Sequence, residues 1–218
     1  MKKKIFFTLI SLFFVILISG CINISPIMGD NLMASGNGRL KIFLTDAPGD
    51  YLEVNITISK IEAHMTGEEK GAKGNWVTLK EWMGNEEPTF NLIELHDVNE
   101  LLVDENYETG KYTQLRIFVE KADLRVETDE TSENNGKEVE VTSEVPSDIF
   151  DVEIPSVYQS GIKLVHPFEI IEGKITELTI DFDARESIIK TGNGNYILKP
   201  TIKLTTVYYD ENEENTVE

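Results

Sequence analysis

The stretch Leu52-Glu53-Val54-Asn55-Ile56-Thr57-Ile58-Ser59-Lys60-Ile61-Glu62-Ala63 alternates apolar and polar residues with a period of two. Such a period sends successive side chains to opposite faces of a strand, whereas a helix needs recurrence near 3.6. The phase slips once, because the apolar positions are even up to Ile58 and odd from Ile61 onward. A β-bulge at Ser59-Lys60 absorbs that extra residue and keeps the apolar side chains on one face.

The same pattern recurs along the chain. Leu115, Ile117 and Val119 alternate with Gln114, Arg116 and Glu120, and Phe118 is the one large apolar residue on the polar side. Leu178, Ile180 and Phe182 alternate with Glu177, Thr179, Asp181 and Asp183, and Ile202 and Leu204 with Thr201, Lys203 and Thr205. Ala47-Pro48-Gly49-Asp50, Gly71 to Asn75, Glu172-Gly173 and Thr191 to Asn195 supply turn chemistry between the runs. Only Asp97 to Val103 reads as a short helical turn. Many one-sided strands with short connections predict an all-β, antiparallel sandwich of the immunoglobulin-like kind.

The chain begins with a different grammar. Lys2, Lys3 and Lys4 precede an apolar run from Ile5 to Ile18 broken only by Thr8 and Ser11. That run is shorter than the ~20 residues of a membrane-spanning helix and suits the apolar core of a secretory signal. It ends in Ile18-Ser19-Gly20-Cys21, which resembles the lipobox of prokaryotic lipoproteins, where small residues precede the cleavage point and the thiol accepts the lipid. Cys21 is the single cysteine of the chain. The expected organisation is therefore a signal peptide at 1–20, a tether with Gly and Pro at 21–37, and a sandwich domain at 38–209. An acidic excursion at 127–151 interrupts the domain, and an acidic tail follows at 210–218. The excursion holds nine acids against the single base Lys137, with Val139 and Val141 alternating inside it. Localisation is expected to be extracytoplasmic, anchored to a membrane through lipid.

Loss of the signal peptide takes the net charge from −19 to about −22. A surface of that sign repels phosphate backbones and anionic head groups, so nucleic acid is not an expected partner. With Cys21 lipidated no thiol remains for a disulfide, and stability must come from an apolar core.

Three segments carry a family resemblance: Arg39 to Asp50 with Val54 to Glu62, Gly110 to Ile117, and Gly161 to Phe168 followed by Leu178 to Ile188 and Lys190 to Pro200. Together they resemble domain of unknown function 4382 over roughly Gly38 to Val207. The resemblance implies an envelope lipoprotein with a transthyretin-type or carbohydrate-binding-like β-sandwich, and it implies no particular activity.

The chain has no nucleophile elbow, phosphate loop or dinucleotide fingerprint, and His64, His96 and His166 lack metal-ligand spacing. No catalysis and no resident cofactor are expected. Two constellations remain. Asp181 and Asp183 share the polar face of one strand, and Asp46 and Asp50 flank a turn; if the two corners converge, they offer calcium its hard oxygen ligands. Otherwise these acids serve turns and neighbouring bases. Trp76 and Trp82 offer rings on which a sugar face can stack, or else they cover the core. The expected function is a lipid-anchored module that binds glycan, and the rival is a structural or protein-interaction module using an edge strand or the acidic arm. Cys21→Ala is expected to abolish incorporation of labelled lipid and to leave unprocessed precursor or shed protein. Parental labelling and detergent partitioning in that variant would refute the lipobox reading.

Overall fold

A computed structural model describes residues 36–47, 49–67, 74–128 and 147–211. The signal peptide with Cys21, nearly all of the tether, Pro48, the glycine-rich loop at 71–73, the centre of the acidic excursion with Val139 and Val141, and the tail beyond 211 lie outside the described residues.

Twelve strands are described: β1 (Asn37–Thr45), β2 (Glu53–Met65), β3 (Asn75–Glu81), β4 (Thr89–Asn91), β5 (Glu100–Glu108), β6 (Gly110–Glu127), β7 (Ser147–Glu153), β8 (Ile162–Ile170), β9 (Lys174–Phe182), β10 (Ile188–Lys190), β11 (Tyr196–Leu198) and β12 (Ile202–Asp210). They form the all-β sandwich that the periodicity predicts. One sheet runs β12-β9-β1-β5; the other runs β10-β11-β7-β6-β2-β3, with β4 added to β2 and β8 to β6. Pairing is antiparallel except in two places, β1 with β9 and β11 with β7, so both sheets are mixed.

The apolar faces of the two sheets meet in one core. The smaller sheet contributes Leu40, Ile42 and Leu44 from β1 and Leu178, Ile180 and Phe182 from β9. The larger contributes Val54, Ile56, Ile58, Ile61 and Ala63 from β2, with Leu115, Ile117 and Val119 from β6. Each Val, Leu, Ile or Phe side chain so removed from water contributes about 1.5–3 kcal/mol. At one corner β8 is stitched to β12: His166 Nε2 shares a hydrogen bond with Thr206 Oγ1 at 2.7 Å, and the Glu169 N–H donates to the Tyr208 hydroxyl at 3.1 Å.

The bulge lies where the phase slip puts it. Thr57 faces Lys121, Ile58 faces Val119 and Lys60 faces Phe118, so Ser59 on β2 and Glu120 on β6 are both extra residues. They occupy the same level of the sheet, and Ser59 Oγ donates to Glu120 Oε1 at 2.6 Å. Two matched bulges keep both long strands in phase with the core, since the buried positions also step from Val119 to Ala122 on β6.

Two sequence readings need correction. Asp97 to Val103 is not a helical turn: Asp97 takes a positive φ of 58°, and β5 starts at Glu100. Ile42 pairs with Val103 and Phe43 with Leu101, so Leu102 is a bulged residue. That bulge buries Leu102 and Val103 side by side, which breaks the period of two and imitates helical spacing. The short helical turns described lie instead at Gly84–Glu86, Leu92–Leu95, Ser156–Tyr158 and α1 (Ala184–Ser187). The acidic excursion is also narrower than 127–151. Ser147–Glu153 forms β7, paired with Asp123 to Glu127 of β6, and its Asp148 and Asp151 mask a strand whose buried contribution is mainly Val152.

Ile180 is fully buried on β9 between β1 and β12. Ile180→Asp is expected to destabilise the chain by several kcal/mol, because it sets an unpaired charge in the core. Thr179→Asp, one residue along on the other face, is expected to lose less than about 1 kcal/mol. Denaturant unfolding followed by circular dichroism checks the contrast, and equal losses would contradict the assigned faces.

Candidate functional site

The outer face of the larger sheet carries a line of rings and cations, set by cross-strand register. Lys60 lies opposite Phe118, Glu62 opposite Arg116, His64 opposite Gln114, and His64 opposite Trp76 on the other side. The Arg116 guanidinium lies 3.7 Å from the Trp76 ring centroid, and Lys60 Nζ lies 4.2 Å from that of Phe118. Such contacts contribute about 0.5–1 kcal/mol each at exposed sites. Glu62 joins the two cations, accepting from Lys60 at 2.9 Å and from Arg116 Nη1 at 3.3 Å. Gly161, at φ +86°, passes so close to the Arg116 stem that a Cβ there would fall 2.4 Å from Arg116 Cγ. The turn that enters β8 therefore packs directly on that stem.

Beyond Phe118 the face opens into a cleft of about 360 Å³ lined by Phe118, Val119, Glu120, Ile154, Tyr158 and Gln159. Its position follows from the matched bulges, since Glu120 reaches the rim from its bulge and Ser59 holds its carboxylate. Tyr158 closes the 3-10 turn Ser156–Tyr158 after β7, and it also borders a second groove of about 260 Å³ that includes Val157, Ile189, Ile197 and Lys199. The cleft thus sets two aromatic rings beside a carboxylate and an amide.

The two tryptophans do not form one platform. Trp76, at the start of β3, belongs to the outer line and carries Arg116 on its ring, with the edge of His64 at 5.2 Å. Trp82, just past the other end of β3, packs against the core, and its backbone N–H donates to Ser59 O at 2.8 Å. Phe118, Glu120 and Tyr158 were not singled out as site residues by sequence. Phe118 alone left a signal, as the large apolar residue in a polar phase.

The acidic corner assembles in part. Because β1 and β9 run parallel with Thr45 beside Asp181, the end of β1 meets the start of α1. Asp46 is buried, and its Oδ1 accepts the Ala184 N–H at 2.8 Å. Asp183 is the N-cap of α1 and accepts the Glu186 N–H at 2.9 Å. Asp181 lies across from Lys203, and its Oδ1 is buried without a hydrogen-bond partner. Asp50 stands apart, exposed, with Arg185 at 3.7 Å. Burial pushes the Asp46 carboxyl up to about 6; the charges of Asp183 and Asp181 add to this, and the N–H groups of Ala184 and Ala47 oppose it. Among the described residues, no three His, Cys, Asp or Glu side chains gather closely enough to hold a metal ion. The three histidines are separate: His64 pairs with Thr113, His166 with Thr206 and His96 with Asp97.

The fold and its faces define the class, a two-sheet β-sandwich with a cleft on its larger sheet. The chain belongs to the family described as domain of unknown function (DUF4382), whose model matches residues 37–200. No curated protein and no solved structure matches it.

With no metal-sized cluster of acids among the described residues, calcium is expected to raise the melting temperature no more than magnesium does at matched ionic strength. A calcium-specific rise that disappears in Asp181→Asn would reverse this expectation.

Proposed function

We propose that the chain is a lipid-anchored, non-catalytic module of the cell envelope that binds glycan in the Phe118–Tyr158 cleft. The observation that carries the reading is the composition of the cleft, two rings with Glu120 and Gln159 at one opening. A sugar offers a C–H face for a ring and hydroxyls for a carboxylate or an amide, and a cleft of this size lies within the ordinary range for small ligands. Glycoside hydrolysis normally uses two carboxyl groups about 5–9.5 Å apart. Among the described residues the cleft lining carries one, Glu120, already bonded to Ser59, and this favours binding over cleavage. The address rests on the lipobox-like ending at Cys21, with the domain outside the cytoplasm.

The rival reading, a protein-interaction module, draws on the second groove, where Val157 is 69% and Ile189 44% exposed. The two readings separate on a glycan array. Binding of at least one glycan class is expected, with Tyr158→Ala weakening it by tenfold or more and Val157→Ser leaving it unchanged. Both variants are expected to melt within a few degrees of the parent. An array without binders, or one on which Tyr158→Ala binds like the parent, would count against the cleft and in favour of the rival.

A further inference from the structure

At the corner where β9 passes the chain to the larger sheet, one buried carboxylate ties α1 to the end of β1. Asp46 is 5% exposed, at the inner end of β1. Its Oδ1 takes the Ala184 N–H, its own N–H donates to Leu95 O at 3.3 Å, and its Oδ2 is buried with no hydrogen-bond partner. Beyond Ala184 the chain is tied in sequence. The Lys199 N–H donates to Ser187 O at 2.8 Å, and the Thr201 N–H to Ser187 Oγ at 2.8 Å. β10 and β11 then supply Ile189 and Ile197, followed by Lys199, to the groove bordered by Tyr158. β11 pairs with β7, which leads directly to Ile154 and Tyr158. One side chain just past β1 is therefore linked to the segment that walls the Tyr158 grooves.

A buried carboxyl oxygen without a donor costs far less as a neutral acid than as an anion. We infer that Asp46 is a proton-operated latch: neutral, it holds the α1–β10–β11 corner against β1, and ionised, it loosens that corner and the groove wall attached to it. The regulation of the groove rests on the glycan-binding reading, whereas the latch itself rests on the buried, half-satisfied carboxyl at this corner.

The charges around the latch agree with this. Asp183 on the cap of α1 and Asp181 on β9 both disfavour the anion. Lys203 on β12 is the cross-strand neighbour of Asp181, Arg185 of α1 is turned to Asp50, and Glu186 is exposed. From the loop side comes His96, bridged to Asp46 through backbone and engaged with Asp97 at 3.0 Å. A folded-state pKa raised from 3.8 to about 6 means that the contribution of the latch is full below the lower value. It is lost as pH rises through the upper one.

Hydrogen exchange on the full chain in detergent tests the latch. After correction for intrinsic exchange, opening of peptides spanning 184–199 is expected to rise about tenfold from pH 5 to pH 7.5. Peptides from the β2–β6 pair are expected to stay level. Asp46→Asn is expected to remove the rise, and Asp183→Asn to move its midpoint to lower pH. A corner whose opening ignores pH in the parent, or follows pH unchanged in Asp46→Asn, overturns the latch. Should Asp46→Asn fail to fold, an unmoved midpoint in Asp183→Asn overturns it equally. Glycan affinity that stays flat while the corner responds overturns the link to the groove, whereas absence of all glycan binding defeats only the functional reading.

Discussion

The parallel pairing of β1 with β9 is the constraint on which the rest of the structure depends. Parallel neighbours cannot be joined by a tight turn, and here everything from β2 to β8 lies between them in sequence. Of the seven intervening strands, six build the larger sheet and β5 returns to pair with β1, all before β9 can settle against Leu40, Ile42 and Leu44. The arrangement explains why the opening segment around Asp46 and the closing segment around Ala184 belong to one signature. Far apart in the chain, they are hydrogen-bonded neighbours in space. A pairing of this sequence separation also pays its loop-closure entropy late, so slow folding is the natural consequence.

The larger sheet depends on a second device, the matched bulges at Ser59 and Glu120. A single bulge would have thrown one strand out of phase with its partner. Two at the same level let the apolar face continue unbroken on both strands. They also bend the sheet where the Phe118 cleft begins and bring Glu120 to its rim, so the device that protects the core also shapes the site. Trp82 adds its backbone N–H to the carbonyl of Ser59, which fixes the far end of β3 to the same point.

Much of this was legible in the sequence, for reasons that also mark the limit. Period-two runs identify strands and their inner faces because burial acts on each side chain locally; the slip at Ser59-Lys60 was readable on the same ground. The bulge at Leu102 was not, because it places two apolar residues together and the result resembles a helical stripe. Parallel pairing leaves no local trace, since periodicity says which face is buried and nothing about which strand lies beside it. The site was less legible still. Trp76 and Trp82 stand out by residue type, but the length of β3 separates them. The cleft joins Phe118 and Glu120 of β6 to Tyr158 of the turn after β7, an adjacency produced by the sheet alone. The four aspartates were found as residues, but not their roles. Only the parallel register reveals that Asp46 faces inward against α1 while Asp50 stays in solvent beside Arg185.

The placement of β1 has a mechanical meaning. The strand opens the folded domain at Asn37, directly after the segment that leads back to Cys21, and it is held on both sides, by β5 and by β9. A pull transmitted along the chain ahead of Asn37 would load both rows of backbone hydrogen bonds in shear, so they would have to yield together rather than unzip one by one. Were the chain anchored as proposed, such tension would fall on a strand braced from both sides, in the sheet opposite the cleft.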